Sequence, residues 1–308
     1  MKKLLINRFD SYQKWPTWLL VLLGCGFVEA CFWVGNIIFG IVLISCLLLF
    51  ILLTGQPIDF NAFMDYLHIN LISFAFVAMI LFAWVKWVEK RSLVTLGFYK
   101  EKWLKELLIG FGVGALQFSL SLLLVYLLGG SQFKGVDVSS TTLLFVLSII
   151  PFWLIQGGTE ELLTRGWLLP LIHSRLGLPI AIGISSFLFG LMHLGNDHMT
   201  FFAFLDLILS GIVMALYMLY RDNLWSVVGL HGAWNFVQGN IYGIEVSGSD
   251  PGVSIFHFAS NPNAPTWLSG GGFGIEGSLI TCLVELVFIL VILYLMKNKD
   301  KIADGSNI

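Results

Sequence analysis

The sequence predicts an all-α polytopic membrane protein with about eight transmembrane helices and a polar site inside the membrane. Three observations lead there: a composition too apolar for water, a one-sided distribution of lysine and arginine, and charged residues within apolar runs. Of the 308 residues, 57% are hydrophobic and 12% charged, against about 25% charged in soluble domains. A net charge of −2 and the lack of a basic patch argue against a nucleic-acid partner. No polar stretch is long enough to fold by itself. The reading is one helical membrane domain over 17–298, with a cytoplasmic segment at 1–16 and a cytoplasmic tail at 299–308. Cys25, Cys31, Cys46 and Cys282 all lie in apolar segments without metal or redox spacing, and read as small buried hydrophobes.

The first apolar run, Trp18 to Leu53, is far longer than a signal-peptide core and ends in no small-residue cleavage site, so it is read as retained. As helix it would reach ~54 Å against a hydrocarbon core of ~30 Å. Glu29, Gly35 and Asn36 mark a place where it could break, into two crossings or one crossing and an interfacial piece. Charge decides between these. One crossing is followed by spans near Asn70–Val88, Glu106–Leu128, Leu143–Ile172, Leu178–Leu194, Phe201–Tyr220, Leu224–Tyr242 and Ser278–Met296. That path leaves only Lys134 outside and Arg165 within a helix. Lys2, Lys3, Arg8, Lys14, Lys86, Lys90, Arg91, Lys100, Lys102, Lys105, Arg175, Arg221, Lys297, Lys299 and Lys301 all face the cytoplasm. Both termini are then cytoplasmic.

Gly110, Gly112 and Gly114 predict close helix approach. Ile244 to Gly277 reads as one long polar outside loop, with Trp267 and Phe273 as interfacial anchors. His198 and His257 read as solvent-facing loop histidines.

The organising stretch is Gly157-Gly158-Thr159-Glu160-Glu161-Leu162-Leu163-Thr164-Arg165-Gly166. A charge at membrane depth costs at least ~2.5 kcal/mol on the most lenient scale, so these three need a reason. On a helix Glu161 and Arg165 are i and i+4 and meet, while Glu160 points about 100° away. Two more i, i+4 pairs follow, Phe189 with His193 and His231 with Asn235. Counted from the cytoplasmic turns at 1.5 Å per residue, Glu160 lies ~20 Å deep, His193 ~22 Å, His231 ~12 Å and Asn235 ~18 Å. The four can share one water-containing pocket, near the middle of the bilayer and on its cytoplasmic half.

Glu-Glu-x-x-x-Arg, Phe-x-x-x-His and His-x-x-x-Asn, in that order on successive spans, resemble the CPBP family of intramembrane peptidases. That family groups CAAX prenyl-protein endopeptidases with bacteriocin-processing enzymes. The resemblance covers Leu143 to Tyr242, which makes 143–242 the expected catalytic core, and is weaker over Glu89–Gly114, where Leu96-Gly97-Phe98 is similar to the family's cytoplasmic loop. It implies a catalytic first glutamate, catalytic histidines and an asparagine at the oxyanion site. The chemistry agrees: peptide hydrolysis needs a base for water and donors for the oxyanion. Glu160 is then the base, His193 holds the water, His231 and Asn235 donate to the oxyanion, and Arg165 pins Glu161. No metal is favoured. A zinc shell of Glu160, His193 and His231 is the rival within the enzyme reading, although the His-Glu-x-x-His pattern is missing.

The expected partners are a peptide or membrane-protein substrate, reached from the cytoplasmic side, and membrane lipid. The short loops suggest a bacterial cell membrane. The alternative is a non-catalytic scaffold or immunity partner, or a transporter using the same buried network. No paired inverted repeat supports a transporter.

Overall fold

The computed structural model describes residues 2–6, 9, 12–59 and 66–303. Expectations resting on Arg8, on the side chain of Lys301 and on 304–308 lie outside the described residues. The chain is mostly helical: α1 (Thr17–Thr54), α2 (Leu67–Val88), α3 (Trp103–Leu127), α4 (Ser140–Leu176), α5 (Leu178–Met192), α6 (Phe201–Arg221), α7 (Trp225–Phe236) and α8 (Leu279–Ala303). Among the described residues, six helices are long and apolar enough to cross a membrane: α1, α2, α3, α4, α6 and α8. The chain is an integral membrane protein. α5 and α7 are shorter, and every residue of α7 from Ser226 to Phe236 is buried.

α1 does not break. It runs through Glu29, Gly35 and Asn36 to Gly55, whose left-handed backbone (φ 68°) ends the helix. In lipid an interrupted helix would leave backbone groups unpaired, which favours continuity. Gly35 serves a contact instead: a Cβ there would lie 2.6 Å from Val77 Cα of α2. At the start of α4, Ser139 caps Thr142 N–H at 3.3 Å. The Thr142 hydroxyl and the backbone and side chain of Ser139 hold the Asp137 carboxyl below its ordinary range.

Three expectations are corrected, on the fold class, on Phe273 and on Cys46. The fold is not wholly α, because β1 (Ser131–Val136) pairs antiparallel with β2 (Phe256–Ser260), from Ser131 opposite Ser260 to Val136 opposite Phe256, with a bulge between Phe133 and Gly135. The long loop is thereby tied to the bundle. Phe273 is no interfacial anchor; it is fully buried against Phe189, Ala203 and Leu207. Trp267 is exposed, as are His198 and His257. Of the cysteines Cys31 and Cys282 are buried, whereas Cys46 is exposed on the outer face of α1.

The segments predicted to share the cytoplasmic side meet at one end of the bundle. Asp222 accepts from the backbone of Lys3, Arg175 Nη2 donates to Tyr12 O at 2.6 Å, and Arg221 forks onto Glu106 at 2.7 Å. Lys299 Nζ donates to Tyr220 O. Tyr12 donates to Glu89, and burial together with that carboxylate pushes its hydroxyl up to about 12. The sheet and the 244–277 loop lie at the opposite end.

α7 is the axis, held between α3 and α4 by small residues. A Cβ on Gly110 would strike the Ser226 carbonyl, one on Gly114 the Leu230 carbonyl, and one on Gly229 the Leu107 carbonyl. Gly112 faces open space, so only two of the three alternating glycines serve the contact. Gly114→Ala should therefore lower stability by about 1–3 kcal/mol, the usual range for overpacking, in thermal unfolding of the detergent-solubilised protein. Gly112→Ala should leave it unchanged or slightly raised.

Candidate active site

α4 carries two polar faces in successive positions. Gln156 and Glu160 are i and i+4 on one face, and Gln156 Nε2 donates to Glu160 Oε1 at 2.7 Å. On the other, Arg165 Nη1 donates to Glu161 Oε1 at 3.2 Å, with both side chains fully buried. Arg165 also donates to the Thr164 hydroxyl, and its guanidinium stands 4.6 Å from the centroid of the Phe189 ring. The helix widens to i→i+5 bonding over Leu162–Leu168. Such a widened turn is common at functional sites.

α7 approaches α4 through glycine. A Cβ on Gly157 would lie 3.0 Å from both Gly232 N and His231 Cγ. This proximity brings His231 against both glutamates: Nδ1 is 3.0 Å from Glu161 Oε1 and Nε2 is 3.6 Å from Glu160 Oε2. One turn on, Asn235 Nδ2 donates to Gln156 Oε1 at 2.8 Å. A chain Asn235–Gln156–Glu160 results, with the orientation of each amide fixed by the next. His193 closes α5, and its Nδ1 lies 2.8 Å from Phe189 O. A carbonyl can only accept, so that nitrogen carries a proton and Nε2 is the ring atom left for another partner.

Glu160, His193, His231 and Asn235 line one cavity of about 800 Å³, together with Gln156. Glu161 and Arg165 lie behind its wall. The sequence motifs are thus brought together, with a difference in detail: His231 and Asn235 share a face, but each already has a partner on α4. Gln156 escaped the sequence reading, although its place four residues before Glu160 was a usable signal. Glu276 escaped it too, standing in a stretch read as loop; it accepts from Trp234 Nε1 at 3.0 Å and from Ser247 N at 2.8 Å, fastening the loop to α7. Asp206 on α6 and Glu285 on α8 are further buried carboxylates that no motif marked.

Among the described residues no three His, Cys, Asp or Glu side chains stand grouped as a metal shell. His231 turns Nδ1 to Glu161 and Nε2 to Glu160, and a carboxylate on the second nitrogen is also how a metal-bound histidine is held.

Residues 142–237 match the family model described as Rce1-like, type II CAAX prenyl endopeptidase. The matched stretch is about a third of the chain. It spans α4 to the end of α7 and so contains every residue of the three motifs, in the family that the motifs resemble. No curated protein and no solved structure matches the chain. The chain is thus a membrane protein with a stretch similar to a protease family, and that similarity supports intramembrane endopeptidase activity in general terms.

Gln156→Leu should leave Asn235 Nδ2 and Glu160 Oε1 without their partner. A loss of about 1–3 kcal/mol is expected from unfolding measurements in detergent, and Gln156→Leu/Asn235→Leu should recover part of it.

Proposed function

We propose that the chain is an intramembrane endopeptidase in which Glu160 activates the water that hydrolyses a peptide bond. The observation that carries this reading is the convergence of Glu160, His193, His231 and Asn235, from three helices, on one cavity. A water between Glu160 Oε2 and His193 Nε2 gives up a proton to Glu160 and attacks the carbonyl carbon. His231 Nε2 and Asn235 Nδ2 donate to the oxyanion. Glu160 then passes its proton to the leaving amine as the C–N bond breaks. For His231 to donate from Nε2 both its nitrogens must carry protons, and Glu161 opposite Nδ1 is the charge that supports this form. Two carboxylates, Arg165 and an imidazolium then sum to zero, as a buried set must nearly do. No step uses a metal.

In this reading α5 and α7 complete eight crossings, within a single membrane domain over 17–298. Both termini are cytoplasmic, and the setting is a bacterial cell membrane.

The test is cleavage of a peptide library by detergent-purified protein, wild type beside Glu160→Gln, each with and without a chelator. Wild type should cut whether or not chelator is present, and Glu160→Gln should be slower by about 10²–10⁴-fold, the usual share of a general base. Cleavage undiminished in Glu160→Gln would overturn the assignment. Chelator-sensitive cleavage restored by zinc would move Glu160, His193 and His231 into a metal shell.

A further inference from the structure

The cavity holding Glu160 has one closed end and one open end. None of its lining residues comes from 81–105, 161–188 or 215–230, the stretches that carry most of the basic end of the bundle. Beneath Glu160 and His231 that end is filled by buried Leu162, Leu163, Leu216, Val227, Val228 and Leu230. In the other direction the lining continues through Asn196 and Tyr66 to Ser247 and to Ser249–Val253 of the loop. That rim is built: Asn196 Nδ2 donates to Ser247 O at 2.9 Å, and Glu276 accepts from Ser247 N.

The lining is also net negative. Glu29, Glu160, Asp250 and Glu276 stand against the imidazolium of His231, and among the described residues no lysine or arginine lines it. Glu160 is nine-tenths buried, and its Oε2 has no hydrogen-bond partner within the protein. A cleft carrying a net charge between low-dielectric walls concentrates ions of the opposite sign. Its volume of about 800 Å³ falls within the range of ligand pockets.

We infer that the cavity admits its substrate from the face of the 244–277 loop, which the lysine and arginine distribution puts outside the cell, and that it selects peptide segments bearing lysine or arginine. This reverses the cytoplasmic approach expected from sequence. It rests on the peptidase reading for the nature of the occupant, but the side of entry follows from cavity shape and charge bias alone.

The test needs no turnover. In full-length protein with its four native cysteines replaced by alanine, Asn196→Cys probes the cavity and Lys100→Cys the basic end. Each is exposed to a membrane-impermeant maleimide in intact cells and in inside-out vesicles, with size-exclusion profiles checking the fold. Asn196→Cys should react in intact cells and Lys100→Cys only in the vesicles. An external lysine-rich hexapeptide should slow labelling of Asn196→Cys several-fold more than a glutamate-rich one, and Glu29→Gln/Asp250→Asn should erase that difference. Reaction of Asn196→Cys only in inside-out vesicles would overturn the side of entry. Equal slowing by both peptides, or slowing by neither, would overturn the charge selection. Because labelling does not depend on Glu160 as a base, a failed peptidase assay would not mimic either result.

Discussion

A fully buried ion pair at membrane depth, Glu161 with Arg165, is the constraint around which the site is arranged. Removing two charges from water costs several kcal/mol per ion, and the loss is recovered only through close pairing and further hydrogen bonds. Thr164, the face of Phe189 and His231 supply part of those partners. The pair therefore does more than neutralise itself. It fixes the His231 ring through Nδ1, and so aims Nε2 at Glu160. Glu160, next along α4, is turned by the helical rotation onto the cavity side. Two adjacent glutamates thereby take different surroundings, one closed in by Arg165 and His231 and one facing space.

Packing makes that arrangement possible. Imidazole and carboxylates can meet only if α4 and α7 run very close, and Gly157 and Gly232 remove the side chains that would keep them apart. Across α7, Gly110, Gly114 and Gly229 do the same for α3. Lipid gives helices no hydrophobic drive to associate, so close backbone packing and interhelical hydrogen bonds supply much of the association. α7 has spent its whole surface on such contacts. A helix so enclosed can hold polar side chains at membrane depth without showing them to lipid.

Much of this is legible from spacing. Residues four apart on a helix share a face, so the pairing of Glu161 with Arg165 and of His231 with Asn235 follows from their positions in the chain. Apolar run lengths place most helices to within a few residues, and charge bias groups the turns that meet at the basic end. What stays hidden depends on distant partners. β1 is six residues whose pairing comes from a strand more than a hundred positions later, and nothing local in Gln132-Phe133-Lys134-Gly135 announces it. Phe273 looks interfacial because its neighbours are glycines, but tertiary folding carries it under α5 and α6. Gln156 is polar without charge, so it draws no notice in the sequence, and only the folded arrangement shows its amide linking Asn235 to Glu160. The direction in which the cavity opens is hidden for the same reason, since depth counted along single helices says nothing about which end their packing seals.

The most direct test of the central claim is a double-mutant cycle between Glu161 and Arg165, read by thermal unfolding in detergent. Arg165→Met and Glu161→Leu should each cost about 3–5 kcal/mol, because each takes from a buried charge the ion it is paired with. The double variant should lose clearly less than the two together, by on the order of 2 kcal/mol or more, since it buries no unpaired charge in that couple. Strictly additive losses would contradict the account, for the two residues would then be stabilised independently and the pair could not be what holds the site in place.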